Sequence, residues 1–374
     1  MNTRGPVGRA RVAGYDIMRV IAILAVVSIH VLMVYRGSAS VALFPAVLDA
    51  SLHFAVPLFF FVSGALVWGR TRARSLMEYG HFLAGRARGV FVPYLAWSVF
   101  YLMVSAARGD ALHVLGRSPA LLLWGRAWYH LYFVPALSLF YVLTPVLAPV
   151  VRRRPEAAVV AAYLVRIVAV GFLYAPVQAF GVPLFYSFFV TVTTHLSDVV
   201  LGAWFAIRAD VLLPQLKRWW SLILVAGTAL IGVGTLPTLP WGLPGLIARS
   251  LVPLGMGLDV LGIAGLAFRT RLGNRGEREA ARLGTLTFGV YLMHPAMVLA
   301  WNTAAEALGL NSLWEQPWFP LIAVVAISAA SFSLSSALAN NSHTAWIIGV
   351  RSASAAPRPR SPLPPDEPLA ALVA

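Results

Sequence analysis

Cysteine is missing altogether from the 374 residues, which excludes disulfides, thiolate nucleophiles and thiolate metal sites. Charge is almost as scarce. Charged residues make up 11% of the chain and hydrophobic ones 59%, whereas a soluble domain carries about a quarter charged residues. Other familiar signals are also absent. The apolar runs are continuous rather than alternating with period two, which argues against a membrane barrel. No Gly-rich phosphate loop or HxxxH metal spacing occurs, nothing marks a nucleophile elbow, and no internal repeat stands out.

What remains is a chain of long apolar runs, the pattern of an all-α polytopic membrane protein. About ten transmembrane helices can be drawn, near 15–35, 51–69, 89–107, 128–150, 157–175, 187–207, 219–238, 249–268, 284–304 and 318–339. Each approaches the roughly 20 residues that cross a bilayer. Pro45, Pro57, Pro93, Pro135 and Pro183 fall near span starts or in connections, where a missing N–H costs least. Pro145 is expected to kink its helix. The run after Arg4, Arg9 and Arg11 is too long for a signal peptide and carries Asp16 and Arg19, so it reads as the first retained span.

The formal net charge of +15 could suggest nucleic acid, but its distribution decides against that partner. With the N-terminus in the cytoplasm, every second connection is basic. These segments hold Arg4, Arg9, Arg11; Arg70, Arg72, Arg74, Arg86, Arg88; Arg152, Arg153, Arg154; Arg208, Lys217, Arg218; Arg269, Arg271, Arg275, Arg278, Arg282; and Arg351, Arg358, Arg360. They account for 22 of the 29 basic residues. The other side holds only Arg36, Arg108, Arg117, Arg126 and Arg249. The positive-inside rule then places both termini in the cytoplasm. Residues 1–350 read as one transmembrane domain, and the Pro- and Ser-rich segment 351–374 as a disordered cytoplasmic tail.

The first span carries three ionisable groups, Asp16, Arg19 and His30. Such groups cost roughly 2.5–3.5 kcal/mol each at mid-membrane on insertion scales and usually face a cavity or a partner. Asp16 and Arg19 lie one turn apart. Arg19 and His30 are eleven residues apart, close to three turns, so they share a face about 16 Å apart along the axis. The bland reading is an Arg19 that snorkels while paired with Asp16, and a His30 that bonds a neighbouring helix. The sharper one is a polar stripe running inward from the cytoplasm, with His30 as general base or proton relay.

Three further stretches carry candidates. Arg70, Arg72 and Arg74 are explained by positive-inside topology and inner-leaflet lipid, whereas Arg86 and Arg88 abut the third span, where they could hold cofactor phosphates. His130 and Tyr132 lie in WYHLYFVPAL (128–137), which could be an interfacial aromatic belt or an acceptor pocket. His294 stands directly before Pro295, whose ring frees the carbonyl of Tyr291, so this histidine could simply satisfy that backbone defect. Within the spans, His195 and Asp198 face together, and Arg166 needs an anion, for which Asp198 and Asp259 are the candidates. A structural ion pair is the default there.

Together these residues resemble the acyltransferase 3 family of integral membrane acyltransferases. The carriers are the Arg-x10-His pattern of Arg19 and His30, FFFVSGALVWGR (59–70), RARGVFVPYLAW (86–97), YHLYFVPALSLFYVLTP (129–145) and YLMHP (291–295). They cover spans one to four and nine. The HLYF and VPYLAW forms look most like the branch of surface-polysaccharide O-acetyltransferases. Gly89 stands where the family often has a second adjacent arginine, and Tyr132 replaces the usual tryptophan. No stretch of the given sequence resembles the hydrolase-like domain fused to some members.

The resemblance implies a multi-pass protein of the cell (plasma or inner) membrane. It would move an acyl group, usually acetyl, from cytosolic acetyl-CoA to a hydroxyl of a carbohydrate or lipid-linked glycan. Acyl-CoA would be a donor substrate, with no permanently bound cofactor and no metal. His30, Arg19 and Asp16 would be catalytic. Arg19, Arg86 and Arg88 would hold the donor, and His130, Tyr132 and His294 would meet the acceptor. Whether His30 deprotonates the acceptor or carries the acyl group itself stays open. The rival reading is a proton-coupled transporter or flippase using the same stripe as a relay, although paired broken helices are not evident.

Overall fold

The computed structural model describes residues 12–33, 51–69, 75–110, 119–169, 184–235, 245–316 and 318–350. Among the described residues every regular element is a helix. In chain order these are α1 (Ala13–Leu32), α2 (Ala55–Val67), α3 (Leu76–Arg86), α4 (Val92–Ser105), α5 (Phe133–Arg153) and α6 (Pro155–Val168). They are followed by α7 (Leu184–Ile207), α8 (Ala209–Thr235), α9 (Gly245–Arg269), α10 (Asn274–Ala307) and α11 (Phe319–Asn340). Arg4, Arg9, Arg11, Arg36, Arg70, Arg72, Arg74, Arg117, Pro45, Pro183 and the tail from residue 351 lie outside the described residues.

Eight of the described helical stretches are long and apolar enough to cross a bilayer. The chain is a multi-pass, all-helical membrane protein. The second and fifth expected spans are shorter within the described residues, at 13 residues for α2 and 14 for α6. A short α2 is tolerable because it is packed on protein rather than lipid. A Cβ at Gly64 would collide with the carbonyl of Val199, and one at Gly202 with that of Phe61. Small residues at these two positions let the backbones of α2 and α7 touch.

The third span begins earlier than its hydropathy suggests. Ser75 and Glu78 form a capping box, each side chain bonded to the other's backbone N–H, so α3 starts before the apolar run. A single π-helical turn, Ala87–Phe91, joins α3 to α4, and the continuous helix runs from Met77 to Gly109. The segment after α11 is laid on that turn. Trp97 Nε1 donates to the carbonyl of Ile347 at 3.1 Å, and Gly349, with φ of 73°, abuts the carbonyl of Gly89.

Helix α1 runs between two parts of the core. Tyr15, Met18 and Ala22 pack with Phe61 and Phe205. Further along the same helix, Ile23, Val27 and Val31 join the cluster around Phe60, Trp68, Tyr101 and Phe140. The buried indole of Trp68 is satisfied across helices, its Nε1 donating to Thr144 Oγ1 at 3.0 Å.

Side-chain pairings follow the alternation read from the arginines. Segments expected on the basic side meet one another: Arg208 with Glu156 at 2.7 Å, Arg269 with the Lys217 carbonyl at 3.1 Å, and Arg282 with Ser336 at 3.2 Å. Segments expected on the opposite side do likewise, Arg126 bonding Ser187 and Trp124 packing on Phe188.

Candidate active site

The stripe on α1 begins with an ion pair. Arg19 Nη1 donates to Asp16 Oδ1 at 3.0 Å, with the Asp16 side chain 1% exposed and that of Arg19 29% exposed. Asp16 is pressed against α10 at Gly284, where a Cβ would lie 2.6 Å from Oδ1 and 2.8 Å from Cβ of Asp16. Glycine at 284 is what lets the carboxylate tuck between the two helices, so the arginine is aimed by a side chain that cannot swing. A groove of about 330 Å³ opens beside the pair, lined by Ala13, Asp16, Asn274, Glu277, Arg278 and Ala281.

Three turns further on, three imidazoles from distant parts of the chain meet. His30 closes α1, His130 lies in the turn before α5, and His294 sits inside α10. The rings of His30 and His294 stack with centroids 5.1 Å apart and planes 24° from parallel. His130 stands edge-on to His294 at 5.2 Å. Tyrosines close the cluster: Tyr129 lies 4.7 Å from His30, while Tyr101 and Tyr291 lie 5.4 and 5.1 Å from His130. Tyr291 also donates its hydroxyl to the carbonyl of His130, and Tyr101 donates to that of Leu292 at 2.8 Å. The first bond fastens the 128–132 turn to α10, and the second fastens α4 to α10.

Pro295 sets the state of His294. A proline has no N–H to bond the carbonyl one turn back, which here is Tyr291. His294 Nδ1 takes that place, 2.8 Å from the Tyr291 carbonyl oxygen. A carbonyl only accepts, so the proton sits on Nδ1, and the Nε2 lone pair is left free. That Nε2 is buried and has no hydrogen-bond partner, nor has Nδ1 of His30, nor either nitrogen of His130. Unpaired buried polar atoms are costly and rare. Four in one cluster describe a site shaped for a polar group these side chains do not themselves supply. His30 is only partly buried, whereas His130 is 4% and His294 0% exposed. The imidazoles therefore differ in access as well as in bonding.

The remaining candidates are placed differently. Tyr132 is half-buried at the start of α5, within electrostatic reach of Tyr291. Arg86 stacks on the rings of Phe82 and Tyr141, 5.2 and 5.1 Å from their centroids, and Arg88 is exposed on the π-helical turn. Among the described residues no hydrogen bond, ion pair or ring contact joins either to the Asp16–Arg19 pair or to the histidines. Sequence reading overlooked His53, which lies close enough to His30 to act on its charge, and the tyrosines at 101 and 129. Tyr129 stood inside a quoted motif, but its role depends on which ring faces it, and no spacing carries that.

Arg166, His195 and Asp198 form a separate buried network. Arg166 Nη1 bonds Asp198 Oδ1 at 2.6 Å, and His195 Nδ1 lies 2.8 Å from Asp198 Oδ2. Asp198, rather than Asp259, is thus the partner of Arg166. Among the described residues no group of three or more His, Asp or Glu side chains is disposed to hold a metal ion.

A family model described as an acyltransferase domain covers residues 12–339, a span that takes in the ion pair, the three histidines and the buried network. No curated protein and no solved structure matches the chain.

Proposed function

This chain belongs to the acyltransferase 3 domain family, and on that premise we propose that it moves an acetyl group from cytosolic acetyl-CoA to a hydroxyl of a cell-surface carbohydrate or lipid-linked glycan. The observation that carries the reading is the meeting of His30, His130 and His294 at the far end of the Asp16–Arg19 stripe. Thioester acyl transfer needs little more than a base for the incoming hydroxyl, a positive group near the carbonyl and exclusion of water.

In this reading the donor's nucleotide end stays on the basic side, drawn by Arg86 and Arg88, and its acyl arm follows the α1 stripe. Arg19, aimed by Asp16, orients the donor's arm from the basic end of the stripe, about three turns from the reacting carbonyl. His30 is the base because it is the least buried of the three imidazoles and an acceptor can reach it. It takes the hydroxyl proton as the oxygen attacks the carbonyl carbon. The carbon–sulfur bond then breaks, and the same proton passes to the departing thiolate. Acetyl-CoA and an alcohol give an ester and free CoA, with no atom unaccounted for. His294, its proton held on Nδ1, offers the stacked ring a neutral acceptor. His130 and Tyr132 face the acceptor.

The test is turnover of labelled acetyl-CoA by the purified protein in lipid with a panel of glycans. His30→Ala is expected to lose at least about 100-fold in kcat, the contribution of a positioned general base, while keeping the parent's unfolding temperature. Parental turnover by His30→Ala would remove His30 from the chemistry. Proton-coupled glycan flux without CoA release would replace the acyltransferase reading with a transporter.

A further inference from the structure

On the side that the charge pattern assigns to the cytoplasm, a cavity of about 660 Å³ is lined by Lys217, Phe268, Arg269 and Arg271. Its volume is in the range of small-molecule sites. Close packing builds it. Gly262 and Gly265 of α9 press on the backbone of α8, where a Cβ at Gly265 would strike the Leu216 carbonyl and one at Gly262 would lie 3.0 Å from that of Trp220. This sets the last turn of α9 beside Lys217, and Arg269 Nη1 donates to the Lys217 carbonyl at 3.1 Å. One N–H is used to fix the guanidinium, leaving its other donors available.

Two features of this groove point to an anion. Among the described residues Lys217, Arg269 and Arg271 hold no carboxylate, which is true of other basic-side arginines such as Arg275 and Arg278, but here all three line one concavity. Three cations on one concave surface without a counter-ion repel one another, and an anion relieves that repulsion. The remaining wall is aromatic and rigid. Phe268 is held edge-on by Tyr15 at 5.1 Å and lies 5.6 Å from Phe205. Tyr15 directly precedes Asp16, so the groove adjoins the start of the α1 stripe.

We propose that Lys217, Arg269 and Arg271 form a binding site for a phosphate-bearing group, a phosphate ester or pyrophosphate, at the basic end of the bundle. A fixed guanidinium suits phosphate geometry, a lysine adds a point charge, and Phe268 gives a flat apolar surface beside them. The phosphate comes from the nucleotide end of the donor or from an anionic lipid headgroup. The first source rests on the acyl-CoA reading above; the second does not.

The experiment uses the full chain in nanodiscs of phosphatidylcholine with or without phosphatidylglycerol, comparing the parent with K217Q/R269Q/R271Q and with the charge-retaining R269K/R271K. Calorimetry reads CoA binding without requiring turnover, and native mass spectrometry reads phosphatidylglycerol retained on the protein. If the donor is the source, the triple variant binds CoA at least tenfold more weakly in phosphatidylcholine discs, and the lysine variant recovers part of the loss. If the headgroup is the source, retained phosphatidylglycerol falls while CoA binding holds. Parental values for both, at an unchanged unfolding temperature, overturn the proposal. A parent that binds no CoA at all sinks the acyl-CoA reading but leaves the lipid measurement to decide the groove.

Discussion

The position of Arg19 depends on a residue with no side chain. Gly284 faces Asp16 so closely that any Cβ must displace the carboxylate and not only its tip, since the approach to Asp16 Cβ is 2.8 Å. Gly284→Ala is therefore expected to destabilise by about 1–3 kcal/mol through overpacking, and to lower acyl transfer by releasing Arg19 from its partner. Denaturant titration and turnover in lipid read the two effects separately. A Gly284→Ala protein with parental stability and turnover would show that the Asp16–Arg19 geometry is not held from α10. The pair itself could be read from the sequence, because three residues on a helix fix a neighbour whatever the fold. Gly284 could not, because nothing in GTLTFG marks which glycine another helix will touch.

At the scale of an element, α10 is organised by its internal proline. The missing amide at Pro295 leaves the Tyr291 carbonyl to His294 Nδ1 at 2.8 Å, which directs the lone pair to the other side of the ring. The bond that satisfies the backbone defect also fixes which nitrogen of His294 is left free, so the first sequence reading of His294 does not exclude a contact with the acceptor. Pro295→Ala restores an N–H that competes for that carbonyl. The helix should be as stable as the parent or more so, since proline inside a helix is unfavourable. Turnover should fall by about tenfold or more as the tautomer loses its lock, a fraction of a general base's contribution. Equal turnover in Pro295→Ala, followed by labelled acetyl transfer, would mean that the Tyr291 carbonyl does not set the state of His294. The π-helical turn at Ala87–Phe91 had no comparable signal. It arises where the 341–350 segment rests on Gly89, a contact between parts of the chain far apart in sequence.

For the whole molecule, hydropathy was enough to give an all-helical membrane bundle, because membrane insertion is governed by local hydropathy and internal backbone bonding. It was not enough to say which helices meet, since lipid-facing and protein-facing residues are equally apolar. The Arg166–Asp198–His195 network illustrates the gap, and it supplies a test of what holds the bundle together. Arg166 on α6 bonds Asp198 and Ser197 on α7 at 2.6 and 3.1 Å and approaches Met256 Sδ on α9 at 3.4 Å. His195 bonds the same carboxylate and stacks on Phe60 of α2 at 4.5 Å. One buried carboxylate thus links four helices. Removing it strands a guanidinium in the interior, so Asp198→Ala should cost about 3–5 kcal/mol. Replacing both charges with apolar groups of similar volume, as in Arg166→Met with Asp198→Leu, should recover most of that loss, because the desolvation penalty goes with the pair. Thermal unfolding in one lipid composition compares the three proteins. If Asp198→Ala were as stable as the parent, the ion pair would not be what joins α6 to α7. If the double variant were stable but inactive, the network would act on the histidine cluster through Phe60 and Phe133, whose rings lie 4.7 Å apart, rather than only on the bundle.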